Sequence, residues 1–503
     1  MTAGTGTAPA SPAWDIRSPV LDTWFPIVAA IATLLVGGAT ILLSVPLGML
    51  VCGVVTVVLC IARPMDMPVF IVSGFIFQNL VVAYLSPSVG DESLFNMLRG
   101  MNFVILAMAF AAFVVAALTR QWSDHPQARR WVIATLALSA VIALYLLIGM
   151  ARGVPMDAVV YFRNTIAPVA CFLVGFLVVL LYRFDSVPGL IALGIAAAIY
   201  GYCELFFTLD FMSLFNGDTY ITMQMRRQIE SGQWERILQE TGFVFRGLGD
   251  TFMTNLFNLP MFSDIQVWRI AGPNFHPISY AYSLSIVSVV LLSRGHWVLP
   301  LLLLPLLLIV GSKGALVLLV IAAAGFVLLR YAGARLAGLF VLVAALVWVG
   351  AAIIVGMRSG DYHVLGFFAG VRDFLSNPVG EGLGIGGNLS SDSANLDWNA
   401  AQASGATDVP VESAVGVMLY QMGIGSFAFF GLLFAMAATL LKRLLATSCM
   451  EYLAAFTMVV VVSANAVLQE EAYYSPLALG FILLIAGGTL ARAIAPAPSM
   501  AKG

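Results

Sequence analysis

Charge is scarce in this chain. Its 503 residues include only 24 lysines and arginines and 26 aspartates and glutamates, 10% of the total, where a soluble domain carries about 25%. That shortage excludes a water-facing surface over most of the length. Cysteine is nearly as thin: five residues, Cys52, Cys60, Cys171, Cys203 and Cys449, nearly all inside apolar runs. None shows metal-ligand or disulfide spacing, so zinc, haem and iron–sulfur centres and a disulfide framework are not expected. They read as small packing residues. The opening MTAGTGTAPASPAWDIRSPVLD lacks a basic leader and is expected to be a short tail rather than a cleaved signal. The closing APAPSMAKG reads as another tail. A formal net charge of −2 says little about partners.

What is present is apolar sequence, 61% of the chain, against about 45–50% in soluble domains. Runs of about 20 apolar residues recur along the whole length, which predicts an all-α, polytopic membrane protein. The expected spans are 24–43, 45–62, 68–85, 101–119, 131–149, 164–182, 187–208, 276–293, 297–312, 314–330, 336–356, 413–440, 451–468 and 475–491, about fourteen transmembrane helices. Residues 297–330 as one helix would be about 51 Å long at 1.5 Å per residue, too long for a hydrocarbon core of about 30 Å. The Gly311–Gly314 stretch supplies a turn there. Placing the amino terminus in the cytoplasm gives every short inside loop a basic residue: Arg63; Arg120, Arg129 and Arg130; Arg183; Arg294; Arg330 and Arg335; Lys442 and Arg443; Arg492 and Lys502. That is the positive-inside pattern, so both termini are expected inside, as tails 1–23 and 492–503. Membrane blocks 24–208, 276–356 and 413–491 then leave two long extracytoplasmic loops, 209–275 and 357–412. The first contains YITMQMRRQIESGQWERILQETGFVFRGLGD, which reads as an amphipathic helix along the interface.

Basic groups remain near spans on the outer side: Arg152, Arg163, Arg269, Lys313, Arg358 and Arg372. A cation at the bilayer centre costs roughly 2.5–3.5 kcal/mol on insertion scales. Snorkelling or loop solvation accounts for any one of them. As a set, brought together by a bundle, they would form an anion site, and guanidinium forks suit phosphate oxygens. Among the acids, Glu412 opens a span, Glu204 lies near the end of one, and Asp373 and Glu381 read as solvated loop acids. His276 stands at a helix start and His363 reads as a surface residue. GEGLGIGG, Gly380 to Gly387, has no βαβ context and is not a nucleotide loop; a tight turn exposing its backbone beside a substrate is expected.

Four stretches, in this order and spacing, resemble the O-antigen polymerase and ligase family of bacterial envelope glycosyltransferases. They are RIAGPNFHPISYAYSL, IVGSKGALVLLV, SNPVGEGLGIGG and ESAVGVMLYQMGIGS, within residues 260–430, with YFRNTIAP around Arg163 adding a weaker match. Two departures stand out. Lys313 occupies the place of an arginine, and Glu412 that of the histidine with which the ligase helix opens. The second favours a polymerase of exopolysaccharide or O-antigen type. The resemblance implies a bundle like that of GT-C glycosyltransferases in the bacterial inner membrane. It implies transfer of a glycan from a polyprenyl diphosphate to a hydroxyl of another lipid-linked unit. Arg163, Arg269, Lys313 and Arg372 would hold the diphosphate, Glu412 would be the base with His276 second, and Gly272, Gly380, Gly382 and Gly384 would shape turns beside the substrate. Cofactor and metal are not expected, since the cations can supply the charge. Expected partners are the polyprenyl-diphosphate-linked oligosaccharide, membrane lipid and a chain-length regulator, with no nucleic acid. A ligase acting on lipid A core or protein, and a lipid-linked oligosaccharide flippase, are the rival readings.

Overall fold

A computed structural model describes residues 19–494 except 121, 123–124, 183–184, 186, 231–234, 236–247, 256–263, 392–395 and 397. In the amino-terminal half, the helices are α1 (Pro19–Leu43), α2 (Val45–Ala62), α3 (Met67–Leu85), α4 (Glu92–Leu98), α5 (Met101–Leu118), α6 (Pro126–Ala151), α7 (Pro155–Tyr182), α8 (Val187–Ser213) and α9 (Gly217–Glu230). A short α10 (Leu248–Thr251) precedes an antiparallel pair, β1 (Met253–Asn255) with β2 (Gln266–Trp268), in which Met253 faces Trp268. Then come α11 (Pro277–Ser293), α12 (Val298–Val310), α13 (Lys313–Ser359), α14 (Tyr362–Ser376), α15 (Trp398–Ser404), α16 (Ala414–Met422), α17 (Ser426–Thr447), α18 (Met450–Asn465), α19 (Glu471–Tyr474) and α20 (Phe481–Ile494).

Among the described residues, ten helical segments are long and apolar enough to cross a membrane, and Pro277–Ser293, Val298–Val310 and Met450–Asn465 are shorter apolar helices. The chain is an all-α, multi-pass membrane protein. Burial separates the centre from the rim: 89% of the apolar window of α7 and 83% of that of the Pro476–Ile494 segment are inside the bundle, against 17% for α13. Lacking a hydrophobic drive between helices in lipid, the central pair relies on close contact at small residues; a side chain at Gly487 would press on the Phe172 carbonyl, at 2.6 Å.

Element boundaries follow local chemistry. Prolines in the first turn start α2, α6 and α11, where a missing N–H costs nothing. Gly311 (φ 67°) ends α12 in the left-handed region and makes the expected turn before Lys313. The long α13 bends at Gly333, φ 84°, between the expected spans 314–330 and 336–356. Two expectations change. The 413–440 span is two helices, broken at Gly423 (φ 47°), where the 380–387 loop packs. α7 starts at Pro155, not near 164, with Asp157 in its first turn. Arg163 therefore lies about 12 Å along the helix at 1.5 Å per residue, not ahead of it. α8 is broken at Thr208, φ 43°, so its first part ends where expected and Glu204 lies about one turn before the break. Of the expected interfacial helix in 209–275, α9 is present, and 231–234 and 236–247 lie outside the described residues.

The bundle has two polar ends. One gathers Asp22, Arg63, Asp185, Arg294, Glu451 and Arg492. Because successive helices run in alternating directions, the other collects the start of α7, the ends of α3, α8, α12 and α18, and the starts of α11, α13 and α16.

Candidate functional site

At that second end the segment 268–276 is anchored by Glu204. Its carboxylate accepts hydrogen bonds from the Ala271 and Gly272 amides at 2.7 and 2.8 Å and from the Trp268 indole at 3.2 Å. Glu204 is fully buried, and three donors offset the cost of an enclosed carboxylate. Gly272 (φ 71°) lies flat on the Tyr280 ring, into which any side chain would run. The anchored segment presents Arg269, whose Nε donates to the Val310 carbonyl at 3.0 Å. That ties Arg269 to the α12–α13 turn. Lys313 is exposed at the first position of α13. A cation there opposes the helix dipole; together with the free N–H groups of the first turn it makes a strongly positive spot suited to an anion.

Arg163 and Arg269 are joined by a residue the sequence reading missed. Arg99, just after α4, meets the Tyr220 hydroxyl, and its charge reaches Arg163 and His276. Gln78 donates to its carbonyl, fixing the turn. Arg99, Arg163 and Arg269 are all half-buried. Among the described residues, no carboxylate lies within ion-pair distance of any of the three. Buried side-chain atoms without a hydrogen-bond partner among the described residues flank them: Gln78 Oε1, Asn274 Oδ1 and Ser312 Oγ. Unpaired buried polar atoms cost about 1–3 kcal/mol each, so three in one neighbourhood mark a place built to receive something polar. His276 caps α11, its Nδ1 accepting from the Ser279 amide at 3.3 Å. Burial, then the charges of Arg269 and Arg99, hold its imidazole down to about 4. It is thus a neutral, weakly basic ring.

Carboxylates converge beside the cations. Glu412 is half-buried and sits in the left-handed region, φ 62°. Its amide donates to Asn388 Oδ1 at 3.3 Å, and its carbonyl and carboxylate face His363 Nδ1 at 3.2 and 3.6 Å. Burial raises the Glu412 carboxyl above its usual value, with the nearby Glu471 adding to this and His363 and Asn388 opposing it. Glu471 also faces Arg269. Next to it, Glu470 is only 3% exposed and accepts from the Tyr161 hydroxyl at 2.6 Å and the Asn388 amide at 2.9 Å. Burial pushes Glu470 up to about 8 despite those bonds. The Tyr161 hydroxyl in turn accepts from the Leu389 amide at 3.0 Å. One helix turn of α7 thus carries both Tyr161 and Arg163, joining the acidic and basic halves.

The glycine run behaves differently from expectation. Gly380, Gly382 and Gly384 have φ of 87°, 95° and 94°. What lies against them is the protein's own backbone: Gly423 for the first, Gly149 for the second, Ala158 for the third. Their small size lets the loop thread between α6, α7 and α16. The loop reaches the site through Asn388. Arg372 stands apart. It is exposed on α14 and donates to the Thr407 carbonyl at 2.6 Å, and no contact among the described residues joins it to Arg163 or Arg269. Glu381 pairs with Arg152 and accepts from Asn377 at 2.6 Å, so it is a fastened acid rather than a free one. Arg358 is exposed.

Glu204 carries a signal that sequence offers, an acid inside an apolar run. Arg99, Glu470 and Glu471 carry none beyond their charge. No protein-family model matches the chain, and a search of curated proteins finds no significant match.

Proposed function

We propose that this protein is a polymerase of exopolysaccharide or O-antigen repeat units, a lipid-linked glycan glycosyltransferase of the bacterial inner membrane. The observation that carries the reading is the trio Arg99, Arg163 and Arg269, half-buried without carboxylate partners among the described residues and set beside Glu412 and Glu471. Unneutralised cations at the end of a membrane bundle suit a ligand that brings its own negative charge and an apolar tail. A polyprenyl diphosphate has both. Counting the three shorter apolar helices as crossings and dividing α13 at Gly333 gives fourteen spans. With both termini in the cytoplasm, the Arg269 end then faces outward, where glycan chains are extended.

In the reaction, the acceptor hydroxyl oxygen bonds to the anomeric carbon as the bond from that carbon to the diphosphate breaks. The leaving electron pair goes to the diphosphate, stabilised by Arg99, Arg163, Arg269 and Lys313 in a water-poor setting. The hydroxyl proton goes to Glu412, whose raised basicity fits the task. His276, the second choice, is the weaker base because Arg269 and Arg99 oppose its protonation.

The test is to size the lipid-linked glycans of a deletion strain carrying wild-type or Arg269→Ala protein. Single repeat units accumulating in the deletion strain and persisting with the variant are expected. Long chains held on the lipid carrier would indicate a ligase instead. Absence of lipid-linked glycan from the outer face would indicate a flippase.

A further inference from the structure

Glu412 is held in a way its proposed chemistry alone does not require. A glutamate in the left-handed backbone region is uncommon, and such a conformation persists only where its surroundings impose it. Here both backbone polar groups are gripped by side chains from distant segments. The amide donates to Asn388 Oδ1 at 3.3 Å, from the external loop, and the carbonyl faces His363 Nδ1 at 3.2 Å, from the first turn of α14. The same Nδ1 stands 3.6 Å from a Glu412 carboxylate oxygen. His363 is itself fixed, since Asp361 caps α14 by accepting from the His363 amide at 2.9 Å. One ring nitrogen therefore addresses both the backbone and the reactive group of a single residue.

We propose that His363 is the positioning residue for Glu412, fixing its strained backbone and keeping its carboxylate ionised and ready to take a proton. This rests on the reading of Glu412 as the base of a glycosyl transfer. The electrostatic need is visible in the surroundings. Glu471 faces Glu412 from the start of α19 and Asp361 from the start of α14, with Glu470 alongside. Burial, Glu471 and Asp361 favour the protonated and inactive form. Against them stand His363 and the Asn388 amide bond. Lys313 and Arg269 serve the departing diphosphate; His363 is the group that serves the base. With the side chains of His363 and Glu412 39% and 31% exposed, the pair also opens to water, a route by which the accepted proton can leave.

The test compares wild type, His363→Asn and Glu412→Gln in the full-length protein in lipid nanodiscs. Dicyclohexylcarbodiimide reacts with protonated carboxyls, so its labelling of Glu412, read by peptide mass mapping from pH 4.5 to 9, reports that group's titration without any need for activity. An asparagine amide can still donate to the Glu412 carbonyl but carries no charge. In His363→Asn, labelling is expected to persist to higher pH by about one unit, the size of effect an opposite charge exerts at this range. In cells, the acid limb of polymer formation should move up by the same amount at equal protein level. A labelling curve that coincides with wild type, or the absence of any Glu412 label in wild type, overturns the proposal. If labelling shifts while the polymer profile stays put, the proposal stands and Glu412 is not the base of the reaction. Should His363→Asn fail to accumulate, His363→Gln, a longer neutral amide, is expected to shift labelling in the same direction; an unchanged curve would again overturn it.

Discussion

At the Arg294 end of the bundle, half-buried guanidiniums are matched with carboxylates. Arg294 and Arg492 share Asp185 and Glu451, with contacts from 2.7 to 3.5 Å, and Arg63 meets Asp22 at 2.7 Å and Asp66 at 2.5 Å. At the Arg269 end, Arg99, Arg163 and Arg269 are no more exposed in class, yet none is so matched among the described residues. Carboxylates are close by, but Glu470 is spent on Tyr161 and Asn388, and Glu412 on His363. Glu471 reaches Arg269 without forming an ion pair, and the other two acids are bonded elsewhere. A protein that leaves positive charge unbalanced in one place while balancing it in another is storing binding capacity in the first and stability in the second.

Exchanging the two roles by mutation is the way to break that contrast. Arg269→Ala should have the largest effect, a loss of polymer on the order of 100-fold, as when one charge-stabilising donor is removed from a transition state, at unchanged protein level on an immunoblot. An Arg294→Ala variant with an equal loss at normal level would erase the distinction. Next in size is Tyr161→Phe. It strips a buried carboxylate of a hydroxyl donor and should cost about 1–3 kcal/mol, read as a lower melting temperature in detergent. Glu470 adds a pH signature. Its carboxyl lies at about 8 in the folded protein, against an ordinary 4.5, so the folded state binds the proton more tightly. Stability should be full below about pH 4.5 and decline as pH rises through about 8. Glu470→Gln, which mimics the protonated acid, should flatten that slope; a melting temperature that instead rises with pH across the window would contradict the assignment. The smallest effect belongs to Glu451→Gln. The Arg294 and Arg492 partners are partly exposed, so solvent screening limits the loss to about 1 kcal/mol, and polymer length should not change.

The spans were legible because apolar runs and proline or glycine punctuation act locally. Lys313 at a turn, a break between the spans 314–330 and 336–356, and His276 at a helix start fall where sequence puts them. Boundaries were less legible. Apolar content locates where a span meets lipid, whereas α7 begins nine residues earlier than expected at Pro155, because backbone bonding does not require an apolar side chain. That moved Arg163 from a loop to the body of a helix. Pairing across the fold was not legible at all. Tyr161 and Glu470 are separated by 309 positions, and no periodicity links them. The glycine run turns with positive φ, but its face meets helix backbone, which only the packed bundle reveals.

That packing also orders the making of the protein. The 380–387 loop is seated on Gly149, Ala158 and Gly423, and its far end is tied through Asn388 to Glu470. A ribosome releases the loop well before it releases residues 423 and 470. The loop therefore finds its seat on Gly149 and Ala158 already made, but its contacts with Gly423 and Glu470 form only after α16 and α18 have followed. Arg99, Arg163 and Arg269 are all synthesised before that moment. A nascent chain thus exposes its cations early and gains its acids late, so a half-made protein is able to hold an anion without being able to act on it.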